Sequence, residues 1–220
     1  MRRASPRRAP DERRAPAVTD PAPARERWNS RYAGDGFEPF PAAPAEWLLE
    51  HRDALLERIA ACAAAPVALD VACGDGRNAR LLAELGFAVE AVDVSDVAIG
   101  ALRAAAAERD LRVQARVLDL EREPLAGDAY DVVICLNYLQ RDLFGALAAA
   151  LRPGGLLLVE TFAQAHIEEL GRSFNPAYVL DPNELLHAFG DLFVRHYREG
   201  VAERRGEPRG VASIVAQRLA

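Results

Sequence analysis

Apolar and polar positions along this chain fall into two regimes. Four short, mainly apolar runs, Val67–Val71, Phe87–Val92, Tyr130–Leu136 and Leu156–Thr161, have the length and branched content of strands buried on both faces. Between Leu111 and Leu118 the apolar residues Leu111, Val113, Ala115 and Val117 take every second place, the mark of a strand with one wet face. Helical spacing separates these runs. Pro44–Ala64 carries Trp47, Leu48, His51, Leu55, Ile59 and Cys62 on one stripe, Asn78–Leu85 is closed by Gly86, a helix capped by Ser95 runs to about Arg109, and another covers Asp142–Leu151. Pro153-Gly154-Gly155 reads as a turn, and Phe162–Leu180 has no period. Asp181-Pro182-Asn183-Glu184 then opens a helix with a cap acid, proline first and glutamate third. Leu192–Tyr197 and Val211–Gln217 form a closing pair of strands joined by a polar turn with Gly206, Pro208 and Gly210. Strands alternating with helices predict a doubly wound, Rossmann-like α/β fold with a mostly parallel sheet.

The stretch from Val67 to Asp93 concentrates the candidate chemistry. A strand ending in Asp70 meets Ala72-Cys73-Gly74-Asp75-Gly76, a helix follows, and the next strand ends on Asp93. Gly74 and Gly76 let the loop turn sharply and bring backbone N–H groups against a ligand at the start of the helix. Asp93, at the next strand tip, is placed to accept hydrogen bonds from two ribose hydroxyls. Two ligand classes fit. Gly74-Asp75-Gly76-Arg77-Asn78-Ala79 satisfies the G-x-G-x-x-G/A pattern of dinucleotide enzymes. Asp70 and Asp75 would repel a pyrophosphate, however, and suit a ligand that carries an ammonium group.

The segment Asp70 to Gly76 resembles motif I of the class I S-adenosylmethionine-dependent methyltransferases, with Ala72 in place of its first glycine and Asn78 in place of its third. Leu151-Arg-Pro-Gly-Gly-Leu-Leu-Leu-Val-Glu-Thr-Phe162 is similar to the fifth strand of that family. With Tyr138-Leu139-Gln140-Arg141 before it, the stretch from Trp28 to Ala220 resembles the tellurite-resistance-type subgroup of small-molecule methyltransferases. The resemblance implies a seven-stranded sheet in the order 3-2-1-4-5-7-6 with an antiparallel final strand. It implies S-adenosylmethionine as cofactor, held by Asp70, Ala72, Gly74, Gly76, Asn78, Asp93, Val94, Asp119, Leu120 and Asn137, with Asp119 facing the exocyclic amine of adenine. Trp28, Arg31 and Tyr32 would close over it. The activity implied is methyl transfer to a small-molecule nucleophile such as a thiol or a chalcogen oxyanion. Tyr138, Arg141 and His166 are the candidates for a base or orienting group, and Arg172, Phe174 and Tyr178 for acceptor contacts in the long connection after the fifth strand. An NAD(P)-dependent oxidoreductase and a non-catalytic S-adenosylmethionine-binding regulator are the alternatives.

Composition narrows the picture further. The 220 residues, half of them hydrophobic, suffice for one domain, taken as residues 25–220. The absence of lysine excludes a phosphate-loop lysine and Schiff-base chemistry. His51, His166, His187 and His196 lack ligand spacing, so no metal site is expected. Cys62, Cys73 and Cys135 sit in apolar surroundings without a Cys-x-x-Cys pair and read as reduced core residues. Residues 1–24 form an arginine-, alanine- and proline-rich basic arm that is expected to be disordered. Its acids and prolines, and its lack of aromatics, argue against nucleic acid as a partner. No run of signal-peptide or membrane-spanning length stands outside the globular pattern, so a cytoplasmic location is expected. The oligomeric state is left open.

Overall fold

The computed structural model describes residues 23–34 and 43–219. The strands are β1 (Val67–Val71), β2 (Ala88–Asp93), β3 (Val113–Val117), β4 (Tyr130–Leu136), β5 (Leu151–Phe162), β6 (Phe193–Arg204) and β7 (Glu207–Gln217). They form one seven-stranded sheet in the order β3-β2-β1-β4-β5-β7-β6. β1 to β5 pair in parallel, and β7 runs antiparallel to both β5 and β6. This is the doubly wound sheet, order and antiparallel final strand expected from the sequence.

The helices are α1 (Ala24–Ala33), α2 (Glu46–Glu50), α3 (Arg52–Ala60), α4 (Arg77–Leu85), α5 (Asp96–Glu108), α6 (Phe144–Ala149), α7 (Ala165–Glu168) and α8 (Glu184–Ala188). Alternation along β4 explains why both faces are covered. Val132, Ile134 and Leu136 pack with Trp47, Leu55, Leu82, Ile99 and Leu102 under α2 to α5, whereas Val133 and Cys135 pack with Leu147, Leu185 and Phe189 under α6 and α8. Every residue of β4 is buried, which accounts for its apolar run, Asp131 being the one polar residue in it. Below the sheet, Asp131 ties three elements together. Its carboxylate accepts from Arg58 at 2.7 Å, from Arg152 at 3.0 Å and from the Val67 N–H at 2.9 Å.

Four local expectations are corrected. The single helix expected over Pro44–Ala64 is broken at His51, whose φ of −104° leaves the helical range and whose ring packs on Trp47 and His196, with centroids 4.8 Å away in each case. Pro153-Gly154-Gly155 does not turn. It lies inside β5, and Gly154, at φ +79°, takes up an irregularity in the pairing with β4, so the strand begins at Leu151 and the helix before it shortens to α6. The helix expected from Asp181 begins at Glu184, because Asn183 is left-handed at φ +59°. The glutamate still accepts from the Asp181 N–H at 2.8 Å and closes a turn ahead of the helix. In the last hairpin the loop contracts to Arg205 and Gly206, at φ +59° and +69°. That is the conformation of a two-residue turn matched to strand twist, so Pro208 and Gly210 fall within β7. The basic arm falls outside the described residues up to position 22, and Ala24 already opens α1.

Gly210 fixes how closely β7 approaches α7. A β-carbon there would collide with backbone atoms of His166 and Ala165, which cannot rotate away. Gly210→Ala is expected to cost about 1–3 kcal/mol, read as a fall of about 3–10 °C in the thermal midpoint; an unchanged midpoint would mean that the two segments are not held this close.

Candidate functional site

Strand order reverses between β1 and β4, and in such sheets the crevice at the carboxyl ends of the strands receives the ligand. A cleft of about 570 Å³ opens there. Its floor is the loop after β1, which carries three residues of positive φ, Ala72, Gly74 and Gly76 at +55°, +56° and +78°. Ala72 adopts the left-handed conformation at a cost of roughly 1–2 kcal/mol that glycine would not incur. A β-carbon on Gly74 would also meet the Tyr32 hydroxyl, which would have to move aside.

Asp93 organises this floor. Its Oδ2 accepts from the Gly74 N–H at 2.9 Å and its Oδ1 from the Ser95 N–H at 2.8 Å, so the tip of β2 is fastened to the glycine loop and to the start of α5. Each carboxylate oxygen keeps a further lone pair for a ligand hydroxyl. Burial raises its pKa, and the backbone N–H bonds oppose that shift. Asp70 lies beneath the loop, buried, with Oδ2 lacking any hydrogen-bond partner. Burial pushes its pKa up to about 8; the Ala79 N–H opposes this, and Asp93 and Asp75 add to it. An orphaned carboxylate oxygen beside two further acids suits a ligand that brings positive charge, as a sulfonium with an ammonium group does. The residues fit S-adenosylmethionine in this respect.

Along one wall, Tyr138 donates to Gln140 Oε1 at 2.6 Å and the Gln140 amide donates to the Leu120 carbonyl at 3.1 Å. That clasp holds the chain after β4 against the segment bearing Asp119 and Leu120. Asn137, left-handed at φ +59°, follows β4, and its N–H donates to the Glu160 carbonyl at 2.8 Å. The opposite wall is α1, pinned to the start of α5 by Asn29, whose amide donates to Asp96 at 2.5 Å and whose carbonyl oxygen accepts from the Ser95 hydroxyl at 2.7 Å. Arg31 stands 4.9 Å over the Trp28 ring, and Tyr32 packs 6.1 Å from it.

Among the residues singled out from the sequence, Trp28, Arg31, Tyr32, Ala72, Gly74, Asn78, Asp93, Val94, Asp119, Leu120, Asn137, Tyr138, Phe174 and Tyr178 meet at this cleft. Asp70 and Gly76 support its floor from below. Three residues stand off its walls. The Arg141 guanidinium is drawn to Glu184 at 2.6 Å and to the Val179 carbonyl at 2.9 Å, so it braces the loop that bears Tyr178. His166 is buried between Phe162 and Phe174, with centroids at 4.6 and 5.5 Å, and its Nδ1 accepts from the Gly210 N–H at 3.3 Å. Arg172 is exposed and pairs with Glu207 at 3.7 Å. The cleft also recruits residues that the sequence reading did not assign to the site, among them Cys73, Arg77, Thr161 and Phe162. Thr161 and Phe162 could have been found from their place at the carboxyl end of β5. No group of three or more His, Cys, Asp or Glu suited to a metal occurs among the described residues, and no helix among them is long and apolar enough to cross a membrane.

Residues 68–155 match the family model described as Methyltransferase domain. Glycine N-methyltransferase of Mus musculus is 34% identical over 116 residues, which cover 42% of this chain and 39% of that protein. The chain thus spans about two fifths of the length of the curated relatives it matches. In fold it is similar to a structure solved for the conversion of a disulfide bond into a thioacetal group during echinomycin biosynthesis, with a TM-score of 0.67 over 89% of this chain and 92% of that one at 21% identity. It is also similar to TehB from Haemophilus influenzae, with a TM-score of 0.64 over 76% and 62% at 18% identity. The match to the methyltransferase domain model covers the stretch from β1 into β5 that supplies most of the cleft, and the chain is folded as the S-adenosylmethionine-dependent methyltransferases of known structure are.

Proposed function

We propose that this protein transfers a methyl group from S-adenosylmethionine to a small-molecule nucleophile. The observation that carries this reading is Asp93, held by Gly74 and Ser95 at the floor of the cleft with lone pairs to spare, above the orphaned oxygen of Asp70. Asp70, Ala72, Gly74, Gly76, Asn78, Asp93, Val94, Asp119, Leu120 and Asn137 would hold the cofactor, and Trp28, Arg31 and Tyr32 would cover it. When bound, the cofactor supplies a methyl carbon already activated by its sulfonium.

What remains for the protein is to align the nucleophile in line with that carbon and to keep water out, contributions that arise from positioning. Phe162, Phe174 and Tyr178 form the side of the cleft suited to that task. Arg141 and His166, assigned from the sequence as possible bases, serve as braces in this reading. Arg141 holds the carbonyls around Tyr178, and burial together with Arg172 and Arg209 lowers the His166 pKa, which keeps the ring neutral between its aromatic neighbours. Burial raises the Tyr138 pKa, so at neutral pH the phenol is a donor and no base. A soft nucleophile that reacts without a base fits such a cleft. The tellurite-resistance-type subgroup belongs here as a proposal too, resting on the sequence likeness of Tyr138 to Arg141 and Leu151 to Phe162.

A tritiated-methyl transfer screen over thiols, tellurite, selenite and small amines tests the activity. On the acceptor that it identifies, Phe174→Ala and Tyr178→Ala are expected to lower turnover tenfold or more at saturating cofactor, while S-adenosylhomocysteine affinity stays within about threefold, under ~1 kcal/mol. Arg172→Ala, which does not alter the cleft lining, is expected to behave as wild type. Wild-type turnover in both aromatic variants would move the acceptor side elsewhere, and no methyl transfer to any acceptor by a protein that binds the cofactor would favour a regulator.

A further inference from the structure

The lining of the cleft divides by chain segment. Among the described residues, its charged side chains all come from before β4: from α1, the loop after β1, the start of α4, the tip of β2 and the turn after β3. From β4 onward every lining residue is uncharged, and Tyr138, Thr161, Phe162, Phe174, Asn175 and Tyr178 stand among them. The chain here does carry charge, but it stands off the walls. Arg172 pairs with Glu207 at 3.7 Å, Glu168 accepts from the Gln164 amide at 3.0 Å, and Glu184 holds Arg141 through Nε at 2.6 Å and Nη2 at 2.9 Å. Arg77, which borders a small hollow beside Phe162, is buried and engaged within the protein, where it donates to the Ala43 carbonyl at 3.4 Å.

The uncharged half is also aromatic and fixed in place. Phe162 and Phe174 pack with centroids 4.5 Å apart and planes at 43°. Tyr178 is 51% exposed at the cleft, although its loop is well fastened. Asn175 Oδ1 accepts from the Ala177 N–H at 3.0 Å, Arg141 donates to the Ala177 and Val179 carbonyls at 3.4 and 2.9 Å, and the Leu180 N–H donates to the Phe162 carbonyl at 2.9 Å. A large ring held in water at a cleft is apolar surface that a bound ligand gains by covering. Ring faces and edges favour another ring over a saturated group, and a charge placed against them would lose hydration without an ionic partner. This half offers no base, since Tyr138 is a protonated phenol and His166 lies behind Phe162 and Phe174.

We propose that the methyl acceptor is an aromatic thiol, with its ring against Phe174 and Tyr178 and no charge beyond its sulfur. The inference rests on the methyl-transfer reading of the cleft. Such a thiol ionises near neutral pH without help and gives its proton to water. The thiolate then forms a new S–C bond to the methyl carbon while the sulfonium C–S bond breaks, and the electron pair of that bond stays on the departing thioether sulfur. Negative and positive charge cancel in this step, so the uncharged wall never faces a lasting charge.

The test titrates the full chain, loaded with S-adenosylhomocysteine, with methylated products that cannot ionise at sulfur: methyl phenyl sulfide, cyclohexyl methyl sulfide and 4-(methylthio)benzoate. Methyl phenyl sulfide is expected to bind at least about threefold tighter than the cyclohexyl compound and about tenfold tighter than the benzoate. Tyr178→Ala should weaken it about fivefold or more and Tyr178→Phe, which keeps the ring, should restore it, with S-adenosylhomocysteine affinity within about twofold in both. With S-adenosylmethionine, benzenethiol should be methylated with a kcat/KM at least about tenfold above that of tellurite or selenite. Equal affinity for the phenyl and cyclohexyl compounds, benzoate bound as tightly as either, or affinity unchanged in Tyr178→Ala would overturn the proposal. So would preference for tellurite or selenite, or no transfer to benzenethiol by a protein that binds methyl phenyl sulfide. Absence of S-adenosylhomocysteine binding would be seen before any probe is added, and would count against the cofactor reading instead.

Discussion

Asp93→Ala is expected to weaken S-adenosylhomocysteine binding by about 1.5–3 kcal/mol, roughly ten- to a hundredfold, through loss of charge-assisted hydrogen bonds to the ribose. The sequence alone suggests an exposed strand tip whose removal leaves folding intact. The structure adds a second consequence, because the carboxylate is buried and holds the N–H groups of Gly74 and Ser95. Loss of both acceptors strands two backbone donors and is expected to lower stability by about 1–3 kcal/mol as well. Calorimetric titration well below the variant's own thermal midpoint separates the two effects. A folded Asp93→Ala protein with wild-type affinity would remove Asp93 from the cofactor site.

The second large effect concerns Asp70. Its pKa of about 8 in the folded protein lies above the ordinary carboxylate value of 3.8, mainly because burial penalises the charge. The folded state therefore binds a proton that the unfolded state has released over this interval. This contribution to stability is complete below the unfolded pKa and is lost as pH rises through the folded one, at about 1.4 kcal/mol per pH unit. Asp93 and Asp75, also raised by burial, act in the same direction. Asp70→Asn is expected to remove one proton's share of this slope between about pH 5 and pH 8, and to be more stable than wild type at pH 8 in the absence of ligand. Urea unfolding across that range checks it. Equal slopes in variant and wild type would show that Asp70 titrates as an ordinary exposed acid. A positively charged ligand group beside Asp70 favours its ionised form, so cofactor binding near neutral pH should release protons.

Asp93 was legible in the sequence because its placement depends on local rules: a strand, a tight loop, one helix, and a second strand paired beside the first, so that Asp70 and Asp93 reach the same sheet edge. The sheet order was legible only through family resemblance, since the apolar runs themselves do not say which strand lies beside which. That Arg141, His166 and Arg172 do not line the cleft was not legible, for a different reason. They belong to segments whose course is set by long-range partners, Glu184, Gly210 and Glu207, each far along the chain. Residue type alone could not tell a brace from a wall. Gly154 misled in a more local way: a glycine after proline usually marks a turn, but here its positive φ accommodates a strand irregularity.

The most direct test of the central claim is calorimetric titration of the unmodified full chain with S-adenosylhomocysteine and, separately, with NADH. A cleft of this kind should take one S-adenosylhomocysteine per chain, with a dissociation constant of micromolar order or tighter, about −8 kcal/mol or stronger, and give no heat with NADH. Binding of NADH without binding of S-adenosylhomocysteine would contradict it.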